Sequence, residues 1–330
     1  MAETGKRATA RAHSNIAFVK YWGNRDRRLR LPANSSISMN LSSLHTTTTV
    51  EWRDQFTQDN LTINGSAAAE GARRRVQNHL DALRARFEID AFARVDSQNN
   101  FPMGTGIASS ASAFAALTLA AVSALGVQIP EHEMSRLARL GSGSAARSIP
   151  AGFVEWHAGD SHEASFAESF AAARHWDLVD VIAIVSREHK RVGSSAGHET
   201  AASSIFQSAR TATAPERIRS AKSAILRRDF ERFASVVEQD SNLMHAVMMT
   251  SAPPLFYWAP LSLRIMQAVR RWRQEEGLEV CYTLDAGPNV HCICRAGAAD
   301  AVANRLRGLS QGLAIASSPV GPGAYILPAV

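Results

Sequence analysis

Residues 101–112, with the sequence FPMGTGIASSAS, constrain the fold of this chain more than any other stretch. Two closely spaced glycines and a pair of serines open directly into an alanine-rich apolar run of helical length. The N-terminus of a helix presents unpaired backbone N–H groups and a partial positive charge, so it binds phosphate well. Glycines ahead of it let a polyphosphate approach the backbone. The stretch predicts a nucleoside triphosphate site without the lysine of a P-loop, although a serine-capped turn before a buried helix would show the same local pattern.

The charge of the chain narrows the class of partner. The net charge is +6, and arginines cluster at 25–30 and 73–75. A basic surface suits nucleic acid or an anionic small molecule. Because basic residues are not interleaved with aromatic ones and no zinc-finger spacing occurs, we expect an anionic metabolite and no nucleic acid.

Two further patterns bear on location. No stretch of about twenty residues is apolar enough to be a convincing membrane span, so we expect no membrane partner. The three cysteines, Cys281, Cys292 and Cys294, form no disulfide framework and are expected to be small core residues. This cysteine usage suits a reducing compartment, and we expect a cytoplasmic protein.

Hydrophobic periodicity predicts a mixed α+β chain. Strands are expected at 46–52, 92–95, 179–185, 278–284, 290–294 and 324–327. Helices are expected at 71–87, from Ser110 to near Gly126, and at 131–140, 215–226, 230–249, 261–276 and 299–307. Between them, 186–197 is basic and rich in glycine and serine, which predicts a loop. The change in composition there predicts two domains, 1–185 and 186–330.

Four polar clusters in loops or at element ends are candidates for chemistry. The first is SNIAFVKYWGNR at 14–25, and the second is the glycine- and serine-containing stretch already described. The third, GSGSAARS at 141–148, leaves room around a single guanidinium. The fourth, YTLDAGPN at 282–289, puts a carboxylate at the end of an apolar strand.

Together these motifs resemble the mevalonate-type decarboxylases of the GHMP kinase superfamily. The family's Asn-Ile-Ala-x-x-Lys-Tyr-Trp-Gly, Gly-Ser-Gly-Ser-Ala-x-Arg-Ser and Asp-Ala-Gly-Pro-Asn motifs are all present, and supporting stretches lie at 31–36, 241–246 and 253–254. The resemblance implies a GHMP kinase fold: an N-terminal domain of the ribosomal S5 domain 2-like type, a ferredoxin-like C-terminal domain, and an active site in the cleft between them. It also implies ATP and Mg²⁺ as cofactors and a homodimer.

The same resemblance implies a catalytic set. Asp285, Lys20 and Arg147 match the family's Asp-Lys-Arg residues. ATP would phosphorylate the tertiary C3 hydroxyl of a phosphorylated mevalonate, and loss of that phosphate would drive departure of CO2. Asp285 would accept or orient the hydroxyl proton, Lys20 would stabilise charge beside it, and Arg147 would bind the substrate carboxylate.

Binding residues follow from the same motifs. Further substrate contacts are expected from Ala17, Tyr21, Asn24, Ser142 and Ser144. ATP contacts are expected from Gly104, Gly106, Ala108, Ser109, Ser110 and Lys190, with Mg²⁺ on Ser110.

One departure from the family pattern bears on the substrate. Most members that use a diphosphate read Lys-Tyr-Trp-Gly-Lys, whereas this chain has Asn24 in place of the second lysine. Loss of a cation opposite a dianion costs about 1.5–3 kcal/mol. The expected substrate is therefore (R)-5-phosphomevalonate, which would give isopentenyl phosphate. The alternative is the diphosphate, with an arginine such as Arg25 replacing the lysine. A mevalonate 3-kinase that releases no CO2 is a further alternative, and an RNA-binding module is the non-enzymatic one.

Overall fold

The computed structural model describes residues 5–101, 109–187 and 193–328. Within them the strands are β1 (Arg7–Val19), β2 (Asn24–Asp26), β3 (Leu31–Pro32), β4 (Ser36–Arg53), β5 (Asn60–Ile63), β6 (Ser66–Ala67), β7 (Phe92–Asn99), β8 (Phe153–Trp156), β9 (Ala167–Ala171), β10 (Leu178–Ile184), β11 (Val280–Thr283), β12 (Val290–Arg295), β13 (Ala314–Pro319) and β14 (Tyr325–Ile326). The α-helices are α1 (Glu70–Phe87), α2 (Ser109–Ala124), α3 (Glu131–Gly141), α4 (Ser194–Thr200), α5 (Gln207–Arg227), α6 (Phe230–Met249), α7 (Pro260–Glu276) and α8 (Ala299–Leu309).

The strands form two main sheets. The first has the order β14-β1-β4-β7-β5-β6, and β8 and β9 extend it from the N-terminal end of β4. The second has the order β11-β12-β10-β13 and is antiparallel throughout. A mixed α/β architecture with two sheets agrees with the expected fold. The division at 185/186 stays a proposal: β10 lies before Ser186 and belongs to the second sheet, and β14 brings the chain end back to the first.

Three hydrophobic clusters place helices on these sheets. One joins α1, α2 and α3 to the first sheet, and another joins α7 and α8 to the second. The third lies between the sheets, where Ile16 and Ile37 of the first sheet share a core with Ile182 of the second and with Phe233 and Val237 of α6. Residues next to this shared core therefore lie close to both halves of the chain.

Helix α2 shows why the alanine-rich run folds as it does. It is buried around most of its circumference, and small side chains such as Ala115, Ala116 and Ala120 are fully covered. Small residues let a helix lie close to the sheet and to its neighbouring helix. Gly141 at the end of α3 gives the clearest case, since a Cβ there would lie 2.1 Å from Cδ1 of Phe114 on α2.

Most predicted elements are confirmed, with shifted ends. Helix α6 has the predicted bounds, and α7 ends at Gly277, whose φ of 67° is the expected left-handed cap. Helix α5 was predicted to begin at Pro215, but it begins eight residues earlier, because its first turns are held by the buried side chains of Arg210 and Arg217.

Other local predictions were wrong. Strand β1, the first half of β4 and β13 were not predicted. Helix α4 begins at Ser194, within the loop that was expected at 186–197. Residues 188–192 of that stretch lie outside the described residues. Among the described residues, no helix is long and apolar enough to cross a bilayer.

The buried carboxylate of Asp240 on α6 fixes the position of the shared core relative to β1. It accepts hydrogen bonds from the backbone N–H of Lys20, at 2.7 Å, and from Nε of Arg217, at 2.6 Å. We expect Asp240→Ala to lower the free energy of unfolding by about 3–5 kcal/mol, because it leaves a buried guanidinium without its counter-charge.

The matched control for this prediction is Asp177→Ala. Asp177 pairs with Arg295 at 2.8 Å, but the carboxylate is 56% exposed, so its loss should cost below about 1 kcal/mol. Urea unfolding of both variants measures the difference. Equal losses in the two variants would show that the Asp240 contact does not fix the core.

Candidate active site

Lys20 and Asp285 form the centre of the site although 265 positions separate them in the chain. Nζ of Lys20 lies 2.7 Å from Oδ1 of Asp285. Lys20 directly follows β1, and Asp285 lies just after β11, so the contact joins the first sheet to the second. The lysine side chain is 1% exposed and the carboxylate 26% exposed, so the carboxylate is the member of the pair that a ligand can reach.

The backbone of Lys20 is fixed on both sides. Its N–H donates to Asp240, as described above, and its carbonyl accepts from Nδ2 of Asn34 at 3.0 Å and from Arg210 at 2.7 Å. Arg210 also donates to the side-chain oxygen of Asn34, at 3.1 Å. These bonds hold the peptide units at Lys20, so its ammonium reaches Asp285 from a rigid base.

Helix α6 holds the other partner. The N–H of Leu284 donates to Oγ of Ser241 at 3.0 Å, and the buried ring of His245, one turn further along α6, lies beside the backbone of Leu284 and Asp285. The stretch 241–246, which supported the family resemblance, thus lies against the loop that carries the carboxylate. This arrangement explains why a polar Ser and His occur on the buried face of α6.

The hydrogen-bond partners that hold the side chain of Arg147 are neutral groups. It lies in a 3₁₀-helix, Gly143–Ser148, and its Nε and one terminal nitrogen donate to Oδ1 of Asn15 at 3.1 and 3.0 Å. The other terminal nitrogen donates to Oγ of Ser36 at 2.8 Å. Asn15 in turn donates to the carbonyl of Ser144 and to Oγ of Ser148. Among the described residues no carboxylate pairs with Arg147, so its positive charge is left for an anionic ligand.

Burial and charge set the ionisation of the three groups. Desolvation lowers the pKa of Lys20, and the charge of Asp285 opposes this effect. Desolvation alone would raise the pKa of Asp285, but the charges of Lys20, His291 and Arg147 outweigh it, so the pKa is lowered. Burial lowers the pKa of Arg147 to about 10. At neutral pH the site therefore holds an ionised carboxylate between cations.

The serines of two predicted motifs meet beside this set. Oγ of Ser110, in the first turn of α2, lies 3.1 Å from Oγ of Ser142, which lies 3.4 Å from Oγ of Ser144. Hydroxyl oxygens suit Mg²⁺, and the free N–H groups at the start of a 16-residue helix suit phosphate. Ser109 and Ser110 thus fit the expected role, whereas Gly104, Gly106, Ala108 and Lys190 lie outside the described residues.

Tyr21 and Asn24 form one wall of the site. The hydroxyl of Tyr21 donates to Oδ1 of Asn24, and desolvation raises the pKa of this hydroxyl to about 12, so it stays protonated. Gly143 packs against the ring of Tyr21, since a Cβ there would lie 2.6 Å from Cε1. Ala17 is buried on β1, two residues after Asn15 and on the same side of the strand.

The structure does not support Arg25 as a replacement for the missing lysine. Its Nε donates to the carbonyl of Pro32 at 3.2 Å, and the side chain is exposed. The first polar cluster was also expected in a loop or at the end of an element, but 14–19 lies within β1.

Comparisons with known proteins agree with this geometry. A family model for diphosphomevalonate decarboxylase-like N-terminal domains matches residues 12–167, and one for mevalonate 5-diphosphate decarboxylase C-terminal domains matches 180–315. A diphosphomevalonate decarboxylase of Aspergillus fumigatus is 40% identical over 306 residues, which span 86% of this chain and 75% of the relative. The chain belongs to the mevalonate-type decarboxylases of the GHMP superfamily.

Solved structures give the same fold. The mevalonate diphosphate decarboxylase of Staphylococcus aureus superposes with a TM-score of 0.94 at 36% identity, over 98% of both chains. A structure of MDDEF in complex with MVAPP, AMPPCP and magnesium superposes with a TM-score of 0.93 at 34% identity, over 98% of this chain and 99% of that one. The expected GHMP fold is therefore confirmed.

Some residues of this mevalonate-type decarboxylase had no role predicted from sequence. Asn15 and Ser36 hold the side chain of Arg147, and Asp240 holds the backbone of Lys20. A buried polar residue in a strand or helix gives no sequence signal beyond its place in a motif. His198 of α4 was also missed. Its Nδ1 accepts from the N–H of Gly23 at 2.9 Å, and its ring packs on those of Tyr21 and Trp22.

The contacts of Asn15 predict a positioning role. We expect Asn15→Ala to lower kcat/KM for the decarboxylase reaction by about 10–100-fold, because Arg147 loses two of its hydrogen bonds and its fixed orientation. Steady-state kinetics measures the change. Asn40→Ala is the matched control, because Asn40 is an equally buried asparagine whose side-chain amide donates to the carbonyls of Pro150 and Pro322. It should lose stability but retain kcat/KM, and a similar kinetic loss in both variants would contradict the role of Asn15.

The buried His245 predicts an acid-sensitive fold. Desolvation and the charge of Lys20 lower its pKa to about 3, whereas an unfolded histidine titrates near 6.5. Because only the unfolded state gains a proton as the pH falls from about 6.5 to 3, unfolding becomes easier across that window. His245→Asn should therefore flatten the dependence by about 1.4 kcal/mol per pH unit between roughly pH 5.5 and 4.

Urea unfolding at several pH values measures this slope. His132→Asn serves as the control, because His132 is exposed and its loss should leave the slope unchanged. A His245→Asn variant with the wild-type slope would show that this histidine does not stay neutral in the fold.

Proposed function

We propose that this protein catalyses the ATP-dependent decarboxylation of (R)-mevalonate 5-diphosphate to isopentenyl diphosphate, ADP, phosphate and CO2. The observation that carries the proposal is the 2.7 Å contact between Lys20 and Asp285, near an Arg147 that has no carboxylate partner in the part of the chain that the structure describes. The relatives support the diphosphate as substrate, since those compared are named diphosphomevalonate decarboxylases. The monophosphate expected from the sequence becomes the second candidate.

The residues divide the reaction between them. The ionised carboxylate of Asp285 accepts the proton of the C3 hydroxyl as the hydroxyl oxygen attacks the terminal phosphate of ATP. Lys20 compensates negative charge at Asp285 and at the transferred phosphoryl group. Arg147 binds the substrate carboxylate and keeps it beside C3, so that loss of the C3 phosphate and of CO2 can follow.

Ser109, Ser110 and the start of α2 would hold the phosphates of ATP, and Oγ of Ser110 would bind Mg²⁺. The ion, when bound, neutralises charge on the phosphates. Ser142 contacts Ser110 on one side and Ser144 on the other, so the two serines would align the two ligands. Gly104, Gly106, Ala108 and Lys190 remain proposed ATP contacts. A homodimer and a cytoplasmic location also remain proposals from the sequence.

The second candidate rests on Asn24. This neutral side chain stands where the family pattern has a cation, and it already accepts a hydrogen bond from Tyr21. A substrate with a single phosphate needs less positive charge at that position. This observation favours the monophosphate, against the names of the relatives.

A turnover assay with ATP and Mg²⁺ that measures ADP and CO2 together tests the proposal. We expect equal amounts of both products and a higher kcat/KM with mevalonate 5-diphosphate than with the 5-phosphate. A preference for the 5-phosphate would establish the second candidate. ADP without CO2 from either substrate would identify a mevalonate 3-kinase and overturn the proposal.

Asp285→Asn provides the catalytic control. It removes the base but retains the size of the side chain, so turnover should fall by about 10²–10⁴-fold. Asp300→Asn, at an exposed position on α8, should leave turnover unchanged.

A further inference from the structure

A basic cavity lies close to the wall of the site that Tyr21 and Asn24 form. Its volume is about 380 Å³, and it is lined by Arg27, Arg28 and Arg30 from the β2–β3 connection, by Arg75 and His79 from α1, and by Gly141 at the end of α3. Among the described residues, the only ion pair of these arginines joins Arg27 to Glu199, at 3.7 Å between two exposed groups. A cavity with several cations and so little counter-charge suits a phosphorylated ligand.

Arg30 lines this cavity and contacts the end of α3, close to the segment that packs against Tyr21. Its Nε donates to the carbonyl of Leu140 at 2.9 Å, which fixes the side chain at the end of α3. The chain continues from there through Gly141 and Ser142 to Gly143, which packs against Tyr21. Arg30 therefore lies next to the segment that carries the substrate-side serines.

The positive charge of Arg30 acts on both Tyr21 and His198. Desolvation raises the pKa of Tyr21, and the charge of Arg30 opposes this more than that of Arg147 or Arg139. Desolvation lowers the pKa of His198 to about 3, and the charge of Arg30 adds to the effect, ahead of Arg210 and Arg147. Arg30 is thus the strongest cationic influence on both rings.

We propose that Arg30 supplies the cation for the terminal phosphate of the substrate, in place of the lysine that position 24 lacks. The inference rests on the proposed diphosphate substrate. It explains how the chain can bind a diphosphate although Asn24 is neutral and Arg25 is directed to Pro32. The terminal phosphate then lies between Tyr21 and the mouth of the basic cavity.

The test compares Arg30→Met with Arg25→Met, since Arg25 lies in β2 just before the connection that carries Arg30, and of the two only Arg30 lines the cavity. We expect Arg30→Met to lower kcat/KM for mevalonate 5-diphosphate by about tenfold or more, mainly through KM, because a charge-assisted contact is lost. The 5-phosphate should lose less, and KM for ATP should change by less than about twofold. Arg25→Met should resemble the wild type.

Two further variants guard against a merely structural effect. Arg30→Lys keeps the charge and should retain much of the diphosphate preference. The double variant Asn24→Lys/Arg30→Met restores a cation from the neighbouring strand and should recover KM for the diphosphate. Failure of both variants to recover it would show that Arg30 acts through the fold.

Calorimetric titration of mevalonate 5-diphosphate without ATP separates this inference from the proposed function. A wild type that binds and turns over the diphosphate, with an Arg30→Met variant that matches it, overturns the role of Arg30 alone. A raised KM for ATP in that variant also overturns it, by assigning the cavity to the nucleotide. A wild type that neither binds nor turns over a phosphorylated mevalonate overturns both proposals.

Discussion

The ion pair between the buried Lys20 and the partly exposed Asp285 is the contact on which the rest of the site depends. Ions removed from water are costly, and their attraction offsets that cost only when the geometry is fixed and the remaining polar atoms are satisfied. The structure meets this condition by holding the peptide units at Lys20 from Asp240, Asn34 and Arg210. Since these partners come from both halves of the chain, the contacts that hold Lys20 beside Asp285 also join β1 to α5 and α6.

Helix α6 contacts both members of this ion pair or their neighbours in the chain. Its Asp240 accepts from the backbone N–H of Lys20, and its Ser241 accepts from the backbone N–H of Leu284, directly before Asp285. A single rigid element therefore sets the distance between the acid and the ammonium. Movement of α6 relative to β1 would change that distance directly, which is why its inward face carries polar residues.

The sequence indicated the residues at the centre of this site better than the residues that hold them in place. Asp285, Lys20 and Arg147 lie in motifs, and the structure brings Lys20 into contact with Asp285 and leaves the guanidinium of Arg147 beside them. Asn15 was harder to assign, because β1 is buried on both faces near its C-terminal end and shows no alternation that marks an inward side. The cation at Arg30 was missed because its distance from Tyr21 depends on how the β2–β3 connection lies against α3.

Strand and helix ends show a similar division. Helices with caps in their sequence, such as α7 before Gly277, were predicted to within a residue. Helix α5 was not, because Pro215 resembles an N-terminal residue while the buried Arg210 and Arg217 extend the helix beyond it. Local rules place an element end where local bonds decide it, and they fail where long-range contacts decide it, such as the hydrogen bonds of Gln207 and Arg210 to the carbonyl of Trp22.

The distribution of charge separates two tasks within the site. The first turn of α2 contains no charged side chain. It contacts the segment after α3 through the hydroxyls of Ser110 and Ser142. Among the residues that the structure describes, the donors on that side are neutral hydroxyl and backbone N–H groups, and the proposed ATP contact Lys190 lies outside them. The charged groups lie instead around Asp285. Because a displaced buried charge costs far more than a displaced hydroxyl, the groups around Asp285 need tighter positioning than the serines beside α2.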